Sequence, residues 1–252
     1  MIAQVLVTGG TGSLGRRVVP RLEAAGYEAI VATRTPTAPG HRLLDLTTGE
    51  GLAEALDGAR TVIHLATDNF NTAGVDTAGT ERLLSAIDDL SVHLVYVSIV
   101  GIDGHTFPYY RAKRGVEDLI EASPVLWTIL RATQFHDLIR RFVDPLAKLP
   151  IVPAPSSTPI QPIDPDVVAD RVVKLTASSV SGRVPDMGGP EVLDAVDMVK
   201  RYLRATNRRR LVIPVRFPGK AAAQFRDGSI LTPNKITTGR TWEQWLSELT
   251  LE

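Results

Sequence analysis

Residues 5–19, VLVTGGTGSLGRRVV, contain the pattern that decides the fold. An apolar, β-branched run leads directly into three glycines at a spacing of three, Gly9, Gly12 and Gly15, and an amphipathic segment follows. A strand that ends in a tight glycine turn at a helix N-terminus directs backbone N–H groups and the positive end of the helix dipole toward one point. A pyrophosphate fits such a point, so the stretch predicts a dinucleotide-binding turn.

Composition limits the classes of function. The chain has 252 residues, and its 28 Lys and Arg balance 28 Asp and Glu, which argues against nucleic acid as a partner. The basic run at residues 208–210 is interpreted as a solvated surface turn. Cysteine is absent and the five histidines lack H-x-x-x-H spacing, so we expect no metal site. With no long apolar stretch and no signal segment, we expect a cytoplasmic protein with no membrane association.

Strand-like and helix-like segments alternate through the first half of the chain. The strands are predicted near residues 2–8, 28–33, 42–45, 61–66, 92–98 and 125–131. The helices are predicted near residues 13–25, 50–57, 73–89 and 109–122. Alternation with continuously apolar strands predicts an α/β fold, a doubly wound parallel sheet that helices cover on both faces.

The composition changes after residue 144. Seven prolines fall between residues 145 and 165, which is typical of an extended crossing segment. Helices are then predicted near 165–177, 191–206 and around Trp242, with strands near 182–184 and 210–216. We therefore assign residues 1–144 to a dinucleotide-binding core. Residues 145–252 are assigned to a Pro-rich crossover and a small C-terminal α/β substrate lobe packed on that core.

The ends of the second and third strands bear on the choice of dinucleotide. The second strand ends in Arg34 with no acid nearby, and a cation there pairs with a 2′-phosphate, so NADP(H) is predicted rather than NAD(H). Asp45 and Leu46 follow the third strand. Two interpretations stay open for Asp45: it accepts from the adenine amino group while Leu46 covers the ring, or it caps the next helix.

Tyr109 and Lys113 are the candidate chemical groups. Their i, i+4 spacing in a predicted helix places both on one face, about one turn apart. A lysine ammonium near a phenol stabilises the phenolate, and the same lysine can hold the nicotinamide ribose. Tyr110, at i, i+3 from Lys113, is the competing phenol, and either ring can instead pack in the lobe interface.

Several motifs together resemble the short-chain dehydrogenase/reductase superfamily, and more narrowly its atypical, NmrA-like branch. They are VTGGTGSLG at residues 7–15, Arg34, HLAT at 64–67, VSIVG at 97–101, YYRAK at 109–113, LRATQF at 130–135 and GRVPDMGGPE at 182–191. The resemblance covers essentially the whole chain. It implies a Rossmann-type fold and an NADPH-dependent reductase of a small lipophilic carbonyl or quinone-type substrate. Because the branch also contains regulators, a non-catalytic protein that senses NADP(H) is the alternative.

The resemblance also implies a set of site residues. The catalytic candidates are Tyr109, Lys113 and Ser98. The cofactor-binding candidates are Gly9, Thr11, Gly12, Ser13, Leu14, Arg34, Asp45, Leu46, Ala66, Thr67 and Lys113. Catalytic members place Ser or Thr in the loop after strand five, where this chain has Val100. Ser98, two residues earlier, either reaches the substrate or bonds the nearby backbone or a cofactor ribose.

Substrate contacts are expected just beyond the sixth strand. Gln134 and His136 flank Phe135 there, and His136 either donates to a substrate oxygen or bonds the backbone. The apolar, Pro-rich stretch at residues 151–155 is expected to line a hydrophobic pocket. The expected partner is a small molecule, and the expected assembly is a monomer or homodimer.

Overall fold

A computed structural model describes residues 2–68, 72–178, 182–235 and 238–249. Its strands are β1 (Gln4–Thr8), β2 (Glu28–Thr33), β3 (His41–Leu43), β4 (Ala59–His64), β5 (His93–Ile99), β6 (Leu126–Ala132), β7 (Ile151–Pro155), β8 (Pro159–Ile160), β9 (Gly182–Arg183), β10 (Leu193–Asp194) and β11 (Leu211–Val215). Its helices are α1 (Gly15–Ala24), α2 (Leu52–Leu56), α3 (Ala78–Ser85), α4 (Pro108–Ala122), α5 (His136–Leu146), α6 (Pro165–Thr176), α7 (Ala195–Ala205), α8 (Lys220–Arg226) and α9 (Trp242–Ser247). A π-helical turn, Thr72–Thr77, directly precedes α3.

Seven strands form one central sheet in the order β3-β2-β1-β4-β5-β6-β9. The pairings of β1 with β2 and β4, of β2 with β3, of β4 with β5 and of β6 with β9 are parallel. The sheet confirms the predicted doubly wound α/β fold. Strand order reverses between β1 and β4, and ligands of such folds bind at the carboxyl ends of the strands beside that reversal.

The sheet is held by a core of fully buried aliphatic side chains. Leu6, Val62 and Leu94, from β1, β4 and β5, contact Leu83 of α3 and Ile120 of α4 in one cluster. Complete burial of such a side chain stabilises the fold by about 1.5–3 kcal/mol. The continuous apolar strands that predicted a covered sheet are therefore the residues that form this core.

The chain divides into two compact units that interleave in sequence. The first, here called the sheet unit, comprises Met1–Ser98, Pro108–Arg131 and Val168–Pro185. The second comprises Ile99–Phe107, Ala132–Val167 and Asp186–Glu252. This division differs from the predicted boundary after residue 144 because β9 pairs with β6 in the sheet and Asp170 of α6 pairs with Arg21 of α1 at 2.7 Å.

The second unit has its own hydrophobic core. Two small sheets, β7 with β11 in parallel and β8 with β10 in antiparallel, accompany α5, α7 and α9. Val152 and Ala154 of β7 are fully buried in a cluster with Tyr202, Trp242 and Trp245. Two of the five residues in the stretch expected to line a pocket thus pack inside the unit instead. No helix in the described ranges is long and apolar enough to cross a membrane.

Candidate cofactor and active site

The glycine turn joins β1 to α1 as predicted. The Gly12 N–H donates to the Gly9 carbonyl at 2.9 Å, which closes the turn, and Gly9 has a positive φ of 69°. Leu14, buried, is the N-cap of α1; no side chain caps this end, and the first helical turn contains no acidic residue. A helix N-terminus of this kind attracts an anion.

Sterics distinguish the three glycines. A Cβ on Gly15 would lie 2.3 Å from the Gly9 carbonyl oxygen, and a Cβ on Gly9 would lie 2.7 Å from the Ala66 nitrogen. Gly12 is exposed, and a Cβ there would meet only the Gly9 oxygen, at 3.1 Å. Packing therefore requires glycine at both positions, at Gly15 against the turn itself and at Gly9 against the backbone after β4, whereas Gly12 leaves space on the outer side.

The neighbouring turn residues are accessible to different degrees. Thr11 is exposed, and Ser13 is half-buried, with its carbonyl oxygen accepting from Arg17 at 2.7 Å. An exposed Thr11 and Gly12 beside an uncapped helix N-terminus form an open cradle. This cradle fits a dinucleotide pyrophosphate.

A buried chain of hydrogen bonds links the ends of β1 and β4 to α3. Thr80 Oγ1 donates to the Asp76 carbonyl at 2.5 Å, so its contact with His64 Nε2, at 2.9 Å, has the ring nitrogen as donor. His64 Nδ1 is then the acceptor for the Thr8 hydroxyl at 2.7 Å. Burial, together with the Lys113 charge, lowers the pKa of His64 to about 4, so the ring is neutral at physiological pH.

A second chain ends on the side chain of the same Asp76. Thr67 Oγ1 donates to Asp76 Oδ1 at 2.7 Å, and the Asp68 N–H donates to Oδ2 at 3.1 Å. Because the Thr67 proton is directed to the carboxylate, the Tyr109 hydroxyl, 3.2 Å from Thr67 Oγ1, is the donor in that contact. The π-helical turn thus places one carboxylate at the end of a Tyr109–Thr67–Asp76 chain.

Lys113 contacts the same carboxylate. Its Nζ lies 3.0 Å from Asp76 Oδ1 and 5.3 Å and 5.7 Å from the ring centres of Tyr96 and Tyr109. Burial would lower the pKa of Lys113, but the Tyr96 and Tyr109 phenols and the Asp76 carboxylate outweigh it and raise that pKa. Lys113 is therefore a buried, charged ammonium beside the Tyr109 ring.

The candidate phenols, the candidate hydroxyl of Ser98 and the phenol of Tyr96 differ in their surroundings. Tyr109 is half-buried on α4, whereas Tyr110 is buried. Burial raises the pKa of Tyr96, on β5, to about 12. Ser98 is buried at the end of β5, and its Oγ has no hydrogen-bond partner among the described residues. The structure thus brings Tyr109, Lys113 and Thr67 together, and Ser98 makes no bond to them.

The residues after β2 and β3 lie in the same unit. Arg34 is exposed directly after β2. Asp45 accepts from the Thr47 N–H at 2.8 Å and does not cap α2, whose N-cap is Gly51. Leu46 is buried in the core cluster. Of the two interpretations of Asp45, the helix cap is wrong, because the carboxylate binds the Thr47 N–H and the N-cap of α2 is Gly51.

The predicted substrate residues lie in the second unit. The Gln134 side chain contacts the backbone of Gln161 and Ile230, and Phe135 is the half-buried N-cap of α5. His136 is 0% exposed and packs 5.6 Å and 5.5 Å from the rings of Trp242 and Trp245. Burial lowers its pKa to about 4. His136 is accordingly a neutral core residue of α5 and not a group presented to a ligand.

Two more observations concern residues that the sequence left open or missed. Val100 is buried in the second unit, and its N–H donates to the Ala132 carbonyl. Asp76 was not predicted as a site residue. Part of its signal was available, since the helix predicted near residues 73–89 puts Asp76, Thr80 and Leu83 at helical spacing on one face.

Comparison with known proteins identifies the family of the chain. Residues 9–143 match the model of the NAD(P)H-binding family. The (4-alkanoyl-5-oxo-2,5-dihydrofuran-3-yl)methyl phosphate reductase of Streptomyces griseus is 29% identical over 224 residues, covering 84% of this chain and 76% of the relative. The photosystem II assembly factor Ycf39 of Cyanophora paradoxa is 25% identical over 84% of this chain and 72% of its own.

A solved structure shows the same fold. An NADPH-dependent quinone oxidoreductase of Escherichia coli superposes with a TM-score of 0.75 at 13% identity, covering 96% of this chain and 98% of its own. The family match spans the glycine turn, β2, the loop after β4 and α4, which carry the cofactor-binding candidates. The chain belongs to the NAD(P)H-binding family.

Proposed function

We propose that the protein is an NADPH-dependent reductase of a small lipophilic carbonyl or quinone-type substrate. The observation that carries this proposal is the pair formed by Tyr109 and Lys113. A half-buried phenol with an oriented hydroxyl lies beside a buried ammonium, and both are tied to Asp76. Reduction of a carbonyl requires a proton for the substrate oxygen, and a fixed positive charge beside the donor stabilises the phenolate that remains.

Each group has a defined role in the proposed reaction. The glycine turn and the N-terminus of α1 hold the pyrophosphate, and Arg34 pairs with the 2′-phosphate. When bound, NADPH supplies a hydride to the substrate carbon. Tyr109 gives the substrate oxygen the proton that its hydroxyl otherwise directs to Thr67, and the Lys113 ammonium stabilises the phenolate that remains.

The proposed substrate class follows from the missing hydroxyl at Val100. Without a Ser or Thr there to polarise a carbonyl, an unactivated ketone lacks one stabilising donor. A quinone is electron-poor already and accepts hydride with less help. Gln134 and Phe135, both half-buried, are the substrate contacts we propose.

The comparisons support the class of reaction. The Streptomyces griseus relative is named as a reductase of a substrate with a ring carbonyl, and the Escherichia coli structure is named as a quinone oxidoreductase. Both names give a compound that contains a carbonyl-bearing ring. The substrate of this chain is expected in the same broad class.

A substrate panel tests the proposal. Oxidation of NADPH is followed by absorbance with menadione, 1,4-benzoquinone, benzaldehyde, 2-cyclopentenone and cyclohexanone, and NADH is run in parallel. We expect turnover that is faster with the quinones than with cyclohexanone. If NADPH binds and no compound of the panel is reduced, the reductase proposal is wrong.

A regulatory role is the second candidate, in which NADP(H) is sensed and not turned over. Val100 favours it because the usual hydroxyl is absent, and the Cyanophora paradoxa relative is named as an assembly factor. The buried Lys113 and the oriented Tyr109 hydroxyl favour the reductase. NADPH binding without turnover in the same panel would favour the sensor.

A further inference from the structure

The paired strands β7 and β11 present an apolar surface on one side. Their inner residues Val152, Ala154 and Val212 pack on the core of the second unit. The outer row, here called the β7/β11 face, comprises Ile151, Pro153, Pro155, Leu211, Ile213 and Val215, which pair in register. Leu211 is 61%, Ile151 48% and Ile213 41% exposed. Apolar side chains that are exposed as one patch, and not scattered singly, are typical of an interaction site.

Positive charge flanks β11 at both of its ends. Residues 207–226 contain six Lys and Arg and no Asp or Glu, although the whole chain has 28 of each sign. Arg209 and Arg210 directly precede β11 and Arg216 directly follows it, and all three are exposed. Within the described ranges no carboxylate pairs with them, whereas Arg208 is bound to Asp144 at 2.8 Å.

We propose that the β7/β11 face is a docking surface for an acidic partner protein, one whose contact has an apolar centre and a rim of carboxylates. An apolar centre with a charged rim is the normal construction of a protein interface. Complementary charge at the rim raises the association rate and selects the partner. This inference is independent of the proposed reductase activity.

The same observations disfavour the other occupants. A second copy would bring two cationic rims together, and like charges across an interface oppose association. A partner strand cannot pair well with the outer edge of β7 or β11, because Pro153, Pro155 and Pro214 have no N–H to donate to it. Proteins that contact a bilayer surface are enriched in Trp and Tyr at the interface, and the β7/β11 face contains no aromatic residue.

The test selects partners by chemistry. A displayed library of small three-helix domains, randomised on one helical face, is panned against the full-length protein, and affinities of the selected domains are measured. We expect Asp and Glu to be enriched around apolar positions. We expect binding to weaken at least tenfold in Leu211→Ser/Ile213→Ser and in Arg209→Glu/Arg210→Glu.

Matched controls separate this result from unfolding and from general stickiness. Leu126→Ser and Arg60→Glu change exposed residues of the sheet unit, 42% and 70% exposed, and should not affect binding. NADPH titration and thermal unfolding of every variant report the fold. Selected domains without acidic enrichment, or with affinity that survives both double substitutions, overturn the proposal.

Two further outcomes also overturn it. Vesicles of phosphatidylcholine with 30% phosphatidylserine that bind wild type and not the Arg209→Glu/Arg210→Glu variant would assign the face to a membrane. A dimer in sedimentation that dissociates in the Leu211→Ser/Ile213→Ser variant would assign it to a second copy.

Discussion

Lys113 Nζ lies 3.0 Å from Asp76 Oδ1, and the two side chains are only 5% and 1% exposed. The residues are far apart in sequence, one on α4 and one on the π-helical turn. A buried ammonium is costly unless a carboxylate neutralises it. Asp76 therefore makes it possible for a charged Lys113 to lie beside the Tyr109 ring.

Asp76→Asn should be strongly destabilising. Asparagine keeps an acceptor for Thr67 but leaves the Lys113 charge buried without a carboxylate. Removal of one partner of a buried pair costs about 3–5 kcal/mol of unfolding free energy. Urea denaturation measures the loss. Asp170→Asn, which removes the exposed Arg21 pair, is the matched control and should cost less than about 1 kcal/mol. Equal losses in the two variants would contradict this account of Lys113.

Gly12 and Gly15 should respond differently to alanine. In Gly15→Ala the new Cβ lies 2.3 Å from backbone, so the turn must move and the melting temperature should fall by several degrees. In Gly12→Ala the fold should survive, since only one contact at 3.1 Å opposes the methyl group. Its NADPH affinity should drop at least tenfold in calorimetry. Undiminished NADPH affinity in Gly12→Ala would show that the turn does not hold the pyrophosphate.

Arg34→Ala should change the choice of cofactor. A charge-assisted hydrogen bond to the 2′-phosphate contributes about 1.5–3 kcal/mol, so NADP(H) affinity should fall about tenfold or more while NAD(H) affinity stays constant. Titration of both cofactors measures the ratio. Arg60→Ala, at another exposed arginine of the sheet unit, should leave it unchanged. An unaltered ratio in Arg34→Ala would remove the basis for NADP(H) preference.

Acid should destabilise the fold through His136. Its pKa is lowered to about 4 by burial, against 6.5 for an ordinary histidine, so the unfolded state takes up the proton first as pH falls. The stabilisation that His136 provides is fully present above pH 6.5 and is lost as the pH falls from 6.5 to 4. Below pH 4 it causes no further change in the unfolding free energy. It amounts to about 3 kcal/mol.

His136→Phe isolates this contribution. The ring contacts with Trp242 and Trp245 are kept, but the titrating nitrogen atoms are removed. Between pH 7 and 4 the unfolding free energy of wild type should fall by about 3 kcal/mol more than that of the variant. His64, whose pKa is lowered to a similar value, remains in both proteins and cancels in the difference. If the unfolding free energies of wild type and His136→Phe change equally with pH, the prediction for His136 is wrong.

The sequence was informative where the signal is local. Continuous apolar runs located β1, β2, β5 and β6 within two residues of their ends, because a strand buried on both faces has few alternatives. The i, i+4 spacing of Tyr109 and Lys113 correctly placed them on one face of α4. Their roles in catalysis and cofactor binding stay predictions.

The sequence was uninformative where distant residues meet. Asp76 gains its importance from contacts with Thr67 and Lys113, and no local pattern encodes the second of these. The α5 helix was not predicted: substrate contacts were expected where it begins, at Gln134, Phe135 and His136, and Pro145 lies inside its last turn. Tertiary packing against Trp242 and Trp245 supports that helix, and such packing is invisible in a short segment.

Tyr109→Phe and Tyr110→Phe form the pair of variants that tests the chemistry. Loss of the Tyr109 hydroxyl removes the proposed proton donor, and general acid catalysis is worth about 10²–10⁴-fold, so turnover of the best quinone should fall by that factor. NADPH affinity should change little, because the phenylalanine ring keeps the packing beside Lys113. Tyr110 is buried and should tolerate the change with less than about a threefold loss of turnover, since its hydroxyl has no assigned role in the reaction.

Lys113→Met completes this test, because the lysine serves both the phenol and the ribose in the proposed site. It should lower turnover and NADPH affinity together, while Tyr109→Phe lowers turnover alone. Steady-state rates at saturating NADPH, with dissociation constants from fluorescence titration, separate the two effects. A larger loss of turnover in Tyr110→Phe than in Tyr109→Phe would show that Tyr110, and not Tyr109, donates the proton.

Because Thr67 fixes the Tyr109 hydroxyl at 3.2 Å, Thr67→Val should lower turnover when Tyr109 is present. The same substitution made in the Tyr109→Phe variant should cause no further loss of turnover.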